Sequence, residues 1–317
     1  MSGESSKNIT RVLVANRGEI AIRIFQGCRE RGIESVAVYS EADASAPHRY
    51  AADEALLIGT AAPADSYLRI DRLIEAARQS EADAIHPGYG FLSENADFAR
   101  AVEKAGLIFI GPTPLQIESM GDKVRARELM ESASVPVIPG TDGPIDDKKT
   151  LQKEAKRIGY PLLLKAAGGG GGKGIRRVDD KKDLESAWER TRSEALSAFG
   201  DGRVYIERFV SSARHIEAQI VGDGHGCVWF LGERECSLQR HHQKVLEESP
   251  SPVIDDETRS RLREAAIAGA ASINYRGAGT MEFLYDQTTR EFFFLEMNTR
   301  LQVEHPVTEL VTGLDLV

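Results

Sequence analysis

Two acidic residues stand on consecutive strand-like segments near the end of the chain. Glu282 lies in the segment 279–285, and Glu296 lies in the segment 292–298. Side chains alternate along a strand, so Glu296 and Asn298 share a face, and a hairpin brings Glu282 beside them. Unpaired carboxylates among so many apolar residues are costly, and a divalent cation removes that cost. The pattern predicts an Mg²⁺ site with oxygen ligands. An ordinary amphipathic hairpin with an exposed acidic face is the alternative.

The turn that follows this hairpin carries a guanidinium, an amide and a carboxylate. Arg300, Gln302 and Glu304 lie within five residues of one another, just beyond the predicted metal ligands. Arg300 can hold an oxyanion through two parallel hydrogen bonds. Glu304 can then act as a general base on the anion that Arg300 holds. A surface salt bridge between Arg300 and Glu304 is the alternative, but it leaves Gln302 unexplained.

A glycine-rich loop follows the apolar segment 162–166. The loop 168–174 contains six glycines and Lys173, and Lys165 comes just before it. It is not a Walker A loop, because the lysine is not followed by Ser or Thr and no helix begins there. We predict a hairpin loop whose backbone N–H groups close over a polyphosphate. A flexible linker is the alternative, and the two lysines favour phosphate.

The composition is that of an ordinary globular protein with an acidic balance. The chain has 317 residues, 40 Lys plus Arg against 49 Asp plus Glu, and a net charge of −9. An acidic chain of this kind is not expected to bind nucleic acid. The sequence has no apolar run of membrane-spanning length and no secretory signal. Three cysteines without metal spacing indicate reduced thiols, and we expect a cytoplasmic protein.

The first third of the chain must position part of this chemistry. Residues 11–112 alternate short apolar strands with helical segments. Such alternation predicts a parallel sheet with helices on both faces. The turn Asn16-Arg17-Gly18 after the first strand lacks Gly-x-Gly-x-x-Gly, which argues against NAD or FAD binding. The loop 86–95 also follows a strand, at the edge of a parallel sheet where ligands bind.

Polar residues mark three predicted helix starts in this region. Asp65-Ser66 is predicted to cap one helix, and Ser93 is predicted to cap the next. Thr113 and Gln116 form a predicted capping box around a proline at the first helical position.

The rest of the chain begins with a Gly/Pro-rich linker at 135–147. Strands are predicted at 162–166, 204–210 and 215–220, and helices at 151–158 and 184–199. Glu207 can anchor a nucleotide base in an apolar slot. The polar run 233–244 suits anion contacts. Its adjacent residues His241 and His242 are predicted to form hydrogen bonds rather than bind metal, because neighbours in an extended segment point in opposite directions.

Together these motifs resemble those of one known family. The chain is similar to biotin carboxylase, the ATP-grasp enzyme or subunit of biotin-dependent carboxylases such as acetyl-CoA carboxylase, which serves fatty acid biosynthesis. The resemblance covers residues 7–317 and rests on the motif Ala15-Asn16-Arg17-Gly18-Glu19-Ile20-Ala21, the loop 86–95, the glycine-rich loop, the run 233–244 and the segment 296–309.

The resemblance implies an α/β and α+β fold in two domains. A Rossmann-like domain is expected at 7–121, and an ATP-grasp domain at 122–317 with a lid subdomain at about 137–209. The family's C-terminal domain is missing, so we expect a C-terminally truncated chain whose last lobe is incomplete. The family is usually homodimeric.

The resemblance also implies roles for individual residues. Mg²⁺ or Mn²⁺ is held by Glu282, Glu296 and Asn298. Bicarbonate is held by Lys244, Arg300, Gln302 and Val303, and Glu304 is the base that acts together with Lys244 and Arg300. ATP is contacted by Lys123, Lys165, Gly170, Gly171, Gly172, Lys173, Gly174, Glu207, Arg208, Val210, His215, Gln239, His242, Glu282 and Glu296. Arg208 stands where the family often has lysine.

The implied activity is ATP-dependent carboxylation of biotin with bicarbonate through carboxyphosphate. The implied partners are ATP, bicarbonate, a biotin carboxyl carrier protein and a carboxyltransferase, without nucleic acid or membrane. Two alternatives remain open from the sequence. One is a truncated, non-catalytic module for ATP binding or protein interaction. The other is a different ATP-grasp ligase related to carbamoyl phosphate synthetase, although such enzymes do not share the continuation 300–306.

Overall fold

The N-terminal part is built on a parallel sheet, as predicted. The computed structural model describes residues 8–167, 174–241 and 243–317. The sheet has the strand order β3-β2-β1-β4-β5. Its strands are β1 (Arg11–Val14), β2 (Glu34–Ser40), β3 (Glu54–Gly59), β4 (Ala84–His86) and β5 (Ile108–Phe109).

Helices cover both faces of this sheet because its strands are apolar on both faces. Val12 and Val14 pack with α1, whereas Leu13 packs on the other face with α3, α4 and α5. This alternation along one short strand produces two separate cores. The helices are α1 (Gly18–Glu30), α2 (Pro47–Ala51), α3 (Ile70–Gln79), α4 (Ala96–Lys104) and α5 (Pro114–Gly121).

One of the three predicted helix starts is confirmed. The side chains of Thr113 and Gln116 form the reciprocal capping box at the start of α5. The Ser93 prediction is wrong, because Asn95 lies next to α4 and accepts the backbone N–H of Phe98 at 2.8 Å. The Ser66 prediction is also wrong. Its hydroxyl donates back to the carbonyl of residue 62 at 2.8 Å, and α3 begins only at Ile70.

A small antiparallel sheet follows, with the order β7-β6-β8. It consists of β6 (Leu162–Ala166), β7 (Ile175–Val178) and β8 (Val204–Arg208), and it is covered by α7 (Lys148–Ile158) and α8 (Leu184–Phe199). Strands β6 and β7 pair antiparallel, so the glycine-rich loop does join two strands of a hairpin. Residues 168–173 of that loop lie outside the described residues.

The last sheet is antiparallel and has the order β11-β10-β9-β12-β13. Its strands are β9 (Ala213–Asp223), β10 (Val228–Arg240), β11 (Gln243–Glu248), β12 (Arg276–Asp286) and β13 (Glu291–Asn298). Ile216, Ala218, Met281 and Met297 pack into one core with α6 (Lys123–Ser132) and α9 (Asp256–Ser272). The alternate residues therefore face the other side, where α10 (His305–Thr312) lies.

The run 233–244 is not extended throughout, because β10 and β11 form a hairpin with a tight turn between them. His241 lies in that turn with a left-handed φ of 51°. In the described parts of the chain, no helix is both long enough and apolar enough to cross a membrane.

Candidate active site

Charged residues form a row across four strands of the large sheet. In the strand register, Arg234 of β10 stands opposite Glu217 of β9, and Glu217 stands opposite Glu282 of β12. Glu282 in turn stands opposite Glu296 of β13. Asn298 completes the predicted group, because its side-chain amide donates to Oε1 of Glu282 at 2.7 Å. The hairpin therefore brings the three predicted metal ligands to one face.

The ammonium group of Lys244 lies among three carboxylates. Its Nζ is 2.5 Å from Oε1 of Glu304 and 3.1 Å from Oε1 of Glu282, and it contacts Oε1 of Glu217. Burial alone would lower the pKa of Lys244, but the nearby carboxylates outweigh burial and raise the pKa above its usual value. Lys244 is thus a permanent positive charge next to the predicted base.

His215 is a second cation in this cluster. Its Nε2 lies 3.0 Å from Oε2 of Glu282 and 3.3 Å from Oε1 of Glu217. Burial opposes the charged form, but the two carboxylates dominate and raise the pKa of His215 to about 9. Burial would raise the pKa of Glu217, but the close contact with His215 and the charges of Lys244 and Arg234 outweigh burial and lower the pKa. The buried charges balance as three anions against three cations: Glu217, Glu282 and Glu304 against His215, Arg234 and Lys244.

The turn between β13 and α10 points its polar side chains towards this cluster. Arg300 donates to Oε2 of Glu94 at 2.8 Å and to Oδ1 of Asn298 at 3.0 Å. Among the described contacts, Arg300 and Glu304 form no ion pair with each other, so the surface salt bridge between them is not what the structure contains. Gln302 is buried and donates to Oε1 of Glu282 at 3.2 Å. Val303 is 60% exposed.

The predicted phosphate-contacting lysines lie on two different elements. Lys123 begins α6, after Asp122 caps that helix, and its Nζ is 3.4 Å from Oε2 of Glu296. Lys165 on β6 is buried and bonds Oε2 of Glu207 at 2.6 Å. Burial opposes the charge of Lys165, but Glu207 dominates and raises its pKa. Glu207, which is predicted to hold the nucleotide base, is therefore the direct ion-pair partner of Lys165, which is predicted to contact phosphate.

The other residues predicted to contact nucleotide lie around the small sheet and the hairpin β10–β11. Val210 is buried against Phe293, and the guanidinium of Arg208 lies 5.1 Å from the centre of the same ring. Gln239 donates to the carbonyl of Cys236 at 2.9 Å. Gly174 has a left-handed φ of 75° at the start of β7. Five predicted residues lie outside the described residues: Gly170, Gly171, Gly172, Lys173 and His242.

Two sets of side chains, which share Glu282, offer ligand atoms to a cation. His215, Glu217 and Glu282 have ligand atoms within 4.8 Å of one another, but Lys244 already contacts both carboxylates. Glu282 and Glu296 instead face each other across the hairpin, and Glu296 is 40% exposed. This second pair, together with Oδ1 of Asn298, provides the oxygen-only ligands that Mg²⁺ prefers. A cation there would share Glu282 with Lys244 and Oδ1 of Asn298 with Arg300, whereas Glu296 is the more exposed ligand. The residues present therefore fit a magnesium ion.

Three residues of the site were not singled out from the sequence. Glu217 lies two residues after His215 on the same strand, and that spacing was an available signal. Arg234 is the second residue of the run 233–244, and the sequence alone does not distinguish it from its charged neighbours. Glu94 belongs to the loop 86–95, but its contact with Arg300 joins positions 206 residues apart, and sequence spacing carries no trace of that contact.

Comparison with known proteins agrees with this geometry. The biotin carboxylase N-terminal domain family matches residues 8–117, and the ATP-binding domain family of the carbamoyl-phosphate synthase L chain matches residues 122–317. Biotin carboxylase 2 of Bacillus subtilis is 53% identical over 308 residues, which cover 97% of this chain and 69% of that protein. The chain belongs to the biotin carboxylase family. The first of the two matches, with the identity to biotin carboxylase 2, favours this family over a carbamoyl phosphate synthetase relative.

Solved structures of biotin carboxylases share the fold. A complex of biotin carboxylase with beta-gamma-ATP from Campylobacter jejuni matches with a TM-score of 0.93 and 51% identity, over 98% of this chain and 69% of that one. The biotin carboxylase domain dimer of 2-oxoglutarate carboxylase from Hydrogenobacter thermophilus, in complex with MgADP, ADP and bicarbonate, matches with a TM-score of 0.90 and 48% identity. That match covers 97% of this chain and 68% of the other.

The relatives include carboxylases that are named for different substrates. Pyruvate carboxylase of Bacillus subtilis is 50% identical over 99% of this chain and 27% of that protein. The family assignment therefore does not specify acetyl-CoA as the final acceptor.

Proposed function

We propose that this chain catalyses ATP-dependent carboxylation of biotin with bicarbonate, as a biotin carboxylase. The observation that carries the proposal is the position of Lys244. Its ammonium group bonds the predicted base Glu304 and also Glu282 of the paired acids. An anion-binding cation, a base and a divalent-cation site thus lie within one cluster, which is the combination that phosphoryl transfer to a weak anionic nucleophile requires.

Bicarbonate is the anion that Lys244 and Arg300 hold in this proposal, with Gln302 and Val303 beside it. Lys244 is fixed by three carboxylates, and Arg300 is fixed by Glu94 and Asn298. Both cations are therefore oriented before the substrate binds, which reduces the cost of reorganisation in the reaction. Glu304 accepts the bicarbonate proton, and a bicarbonate oxygen attacks the γ-phosphorus of ATP. ADP leaves, and carboxyphosphate forms.

The ATP phosphates are held by Lys123, Lys165 and the glycine-rich loop in this proposal. The lysines face acidic partners, Glu296 and Glu207, so binding of ATP replaces an ion pair within the protein by an ion pair with phosphate. Glu282, Glu296 and Asn298 would hold Mg²⁺ or Mn²⁺, which would neutralise charge at the phosphates. We further propose that Glu207, Arg208, Val210, His215, Gln239 and His242 contact the nucleoside.

In our proposal, carboxyphosphate then breaks down to CO₂ and phosphate beside biotin on a carrier protein. The ureido nitrogen of biotin loses its proton to the departing phosphate and bonds the carbon of CO₂, and a carboxyltransferase passes the carboxyl group on. Acetyl-CoA is the acceptor that we propose to test first. We also propose domains at 7–121 and 122–317, with a lid at about 137–209, because α5 ends at Gly121 and α6 begins at Lys123. A homodimer is supported by the dimer of the 2-oxoglutarate carboxylase domain. The three free cysteines support a cytoplasmic location.

The test is bicarbonate-dependent ATP hydrolysis, measured with formation of labelled carboxybiotin. We expect hydrolysis to rise when bicarbonate is added, and Lys244→Gln to reduce that rise by about 10²–10³, the usual cost of losing one charge-stabilising donor. Lys153→Gln is the matched control, because Lys153 is an exposed lysine of α7 without an ion-pair partner among the described residues.

Three results would decide against the proposal. Hydrolysis that does not respond to bicarbonate contradicts it. Nucleotide binding without hydrolysis supports a non-catalytic module. Hydrolysis that responds to ammonia supports a carbamoyl phosphate synthetase relative.

A further inference from the structure

Arg234 is a fully buried cation beneath the candidate site. It lies on β10, and its side chain has an exposed fraction of 0%. All three nitrogen atoms of the guanidinium donate hydrogen bonds. Its acceptors come from four different parts of the chain and are Oε2 of Glu217 at 3.1 Å, Oε1 of Gln219 at 2.7 Å, Oγ1 of Thr280 at 3.2 Å, Oε1 of Gln302 at 2.7 Å and Oγ1 of Thr308 at 2.8 Å.

These bonds determine which way the amide of Gln302 points. A guanidinium can only donate, so the oxygen of Gln302 must face Arg234 and its NH₂ group must face the opposite way. That NH₂ group donates to Oε1 of Glu282 at 3.2 Å. If a residue that accepts hydrogen bonds replaced Arg234, the Gln302 amide could rotate. Its NH₂ group would then no longer be held towards Glu282.

Arg234 also fixes the orientation of the Glu217 carboxylate. Its Oε2 is bound by Arg234 through Nη2 at 3.1 Å and Nε at 3.3 Å. The other oxygen, Oε1, is thereby directed towards Lys244 and towards His215. Arg234 thus orients Gln302, which is itself assigned to bicarbonate binding, and Glu217, which contacts Lys244 of the same group.

Stability alone does not account for this arrangement. Removing a guanidinium from water is costly, and an ion pair in the interior often stabilises a protein no more than well-packed apolar residues of similar size. Only one of the five acceptors, Glu217, is charged. Arg234 therefore suits a role in which the planar guanidinium donates hydrogen bonds in several directions at once.

We propose that Arg234 is the positioning residue for the bicarbonate subsite, acting through Gln302. This inference rests on the proposed function, because it assigns the turn to bicarbonate. Arg234 does not touch the substrate. It fixes the orientation of the Gln302 amide and couples β10 to the turn and to α10.

The experiment compares Arg234→Lys, Gln302→Leu and the double variant with the parent chain. Lysine keeps the positive charge but cannot reach five acceptors with a planar fork. We measure the KM for bicarbonate and kcat in ATP hydrolysis, the Kd of ATP, and the Kd of ¹³C-bicarbonate by NMR in the presence of MgADP. Arg259→Lys is the matched control, because Arg259 binds Glu233, the residue next to Arg234 on β10, at 2.8 Å.

We expect Arg234→Lys to raise the KM and the Kd for bicarbonate about tenfold, which corresponds to loss of one hydrogen bond to a charged group. The Kd of ATP should change less than about twofold, and Arg259→Lys should leave all constants unchanged. The double variant should be no worse than the poorer single variant, since both act through one contact.

Unchanged bicarbonate constants in a folded Arg234→Lys, or effects that multiply in the double variant, would overturn the inference. If Arg234→Lys does not fold, Thr308→Val decides, because it removes one acceptor of Arg234 without changing the shape of the side chain. We expect its KM for bicarbonate to rise about threefold, and an unchanged KM overturns the inference. A parent chain that neither binds bicarbonate nor hydrolyses ATP contradicts the proposed function itself, and the role of Arg234 falls with it. A parent that does both, with variants that match it, removes only the role of Arg234.

Discussion

Glu217→Gln should be among the most destabilising single changes at the site. Glu217 is fully buried, and each of its oxygens faces cations: Oε2 accepts from Arg234 at 3.1 Å, and Oε1 contacts Lys244 and His215. Glutamine has nearly the same shape, but it replaces an acceptor oxygen by an NH₂ group that must face donors. The balance of three anions and three cations becomes an excess of one buried positive charge.

The magnitude follows from that imbalance. Breaking a buried ion pair by removing one partner costs about 3–5 kcal/mol, and leaving a buried donor without an acceptor is part of that cost. We expect the free energy of unfolding to fall by about 3 kcal/mol. At about 2.1 cal/mol/K of unfolding entropy per residue, a loss of 1 kcal/mol lowers the Tm of a 317-residue chain by roughly 1.5 °C, so Tm should fall by about 4–5 °C.

The assay is thermal and urea unfolding, with Glu233→Gln as the control. Glu233 is also buried and lies on the neighbouring strand, but its partner Arg259 is 29% exposed. Solvent can replace that lost pair, so we expect a smaller loss, about 1 kcal/mol. A Glu217→Gln variant as stable as the parent, or no less stable than Glu233→Gln, would refute the view that Glu217 is the charge that holds the cluster together.

Two more predictions concern the same cluster. The pKa of His215 is raised from 6.5 to about 9, so its charge contributes stability that is complete below about pH 6.5 and is lost as the pH rises through 9. Unfolding measured between pH 6 and 10 should show this loss, and His215→Gln should remove it; an equal loss in the variant would show that another group is responsible. Glu296→Gln should weaken binding of Mg·ATP about tenfold or more, because it takes one negative charge from the proposed metal ligands. Calorimetric titration with and without Mg²⁺ checks this, and equal affinities in parent and variant would remove Glu296 from the metal site.

Most of the local structure could be predicted from the sequence, because hairpins and helix starts depend on residues that are close together in the chain. The pairing of Glu282 with Glu296 follows from strand alternation and one hairpin, and both are readable from the order of residues. The capping box of Thr113 and Gln116 is readable for the same reason. The prediction that Ser93 caps α4 failed because Asn95, two residues later, is the cap. A pattern alone does not say which polar residue adopts the extended backbone at the helix start.

The contacts that join distant segments could not be predicted in this way. Lys244 was assigned to bicarbonate from resemblance, but its three carboxylate partners come from β9, β12 and the turn before α10. Arg234 gathers acceptors up to 74 residues away. Such clusters arise from the order of strands in the sheet, and that order is a property of the whole fold.

The contact between Glu94 and Arg300 has a consequence for how the two parts of this protein can be inherited. Glu94 belongs to the parallel-sheet part, and it binds the side chain of Arg300 and the backbone N–H of Thr299. A site residue of the second part is therefore oriented by a side chain of the first. A chimaera that takes its first 121 residues from a distant relative must bring a carboxylate to position 94, or its arginine at 300 will be released from one of its anchors. Exchange of one part alone therefore carries a condition at position 94, and the two parts are not freely exchangeable modules.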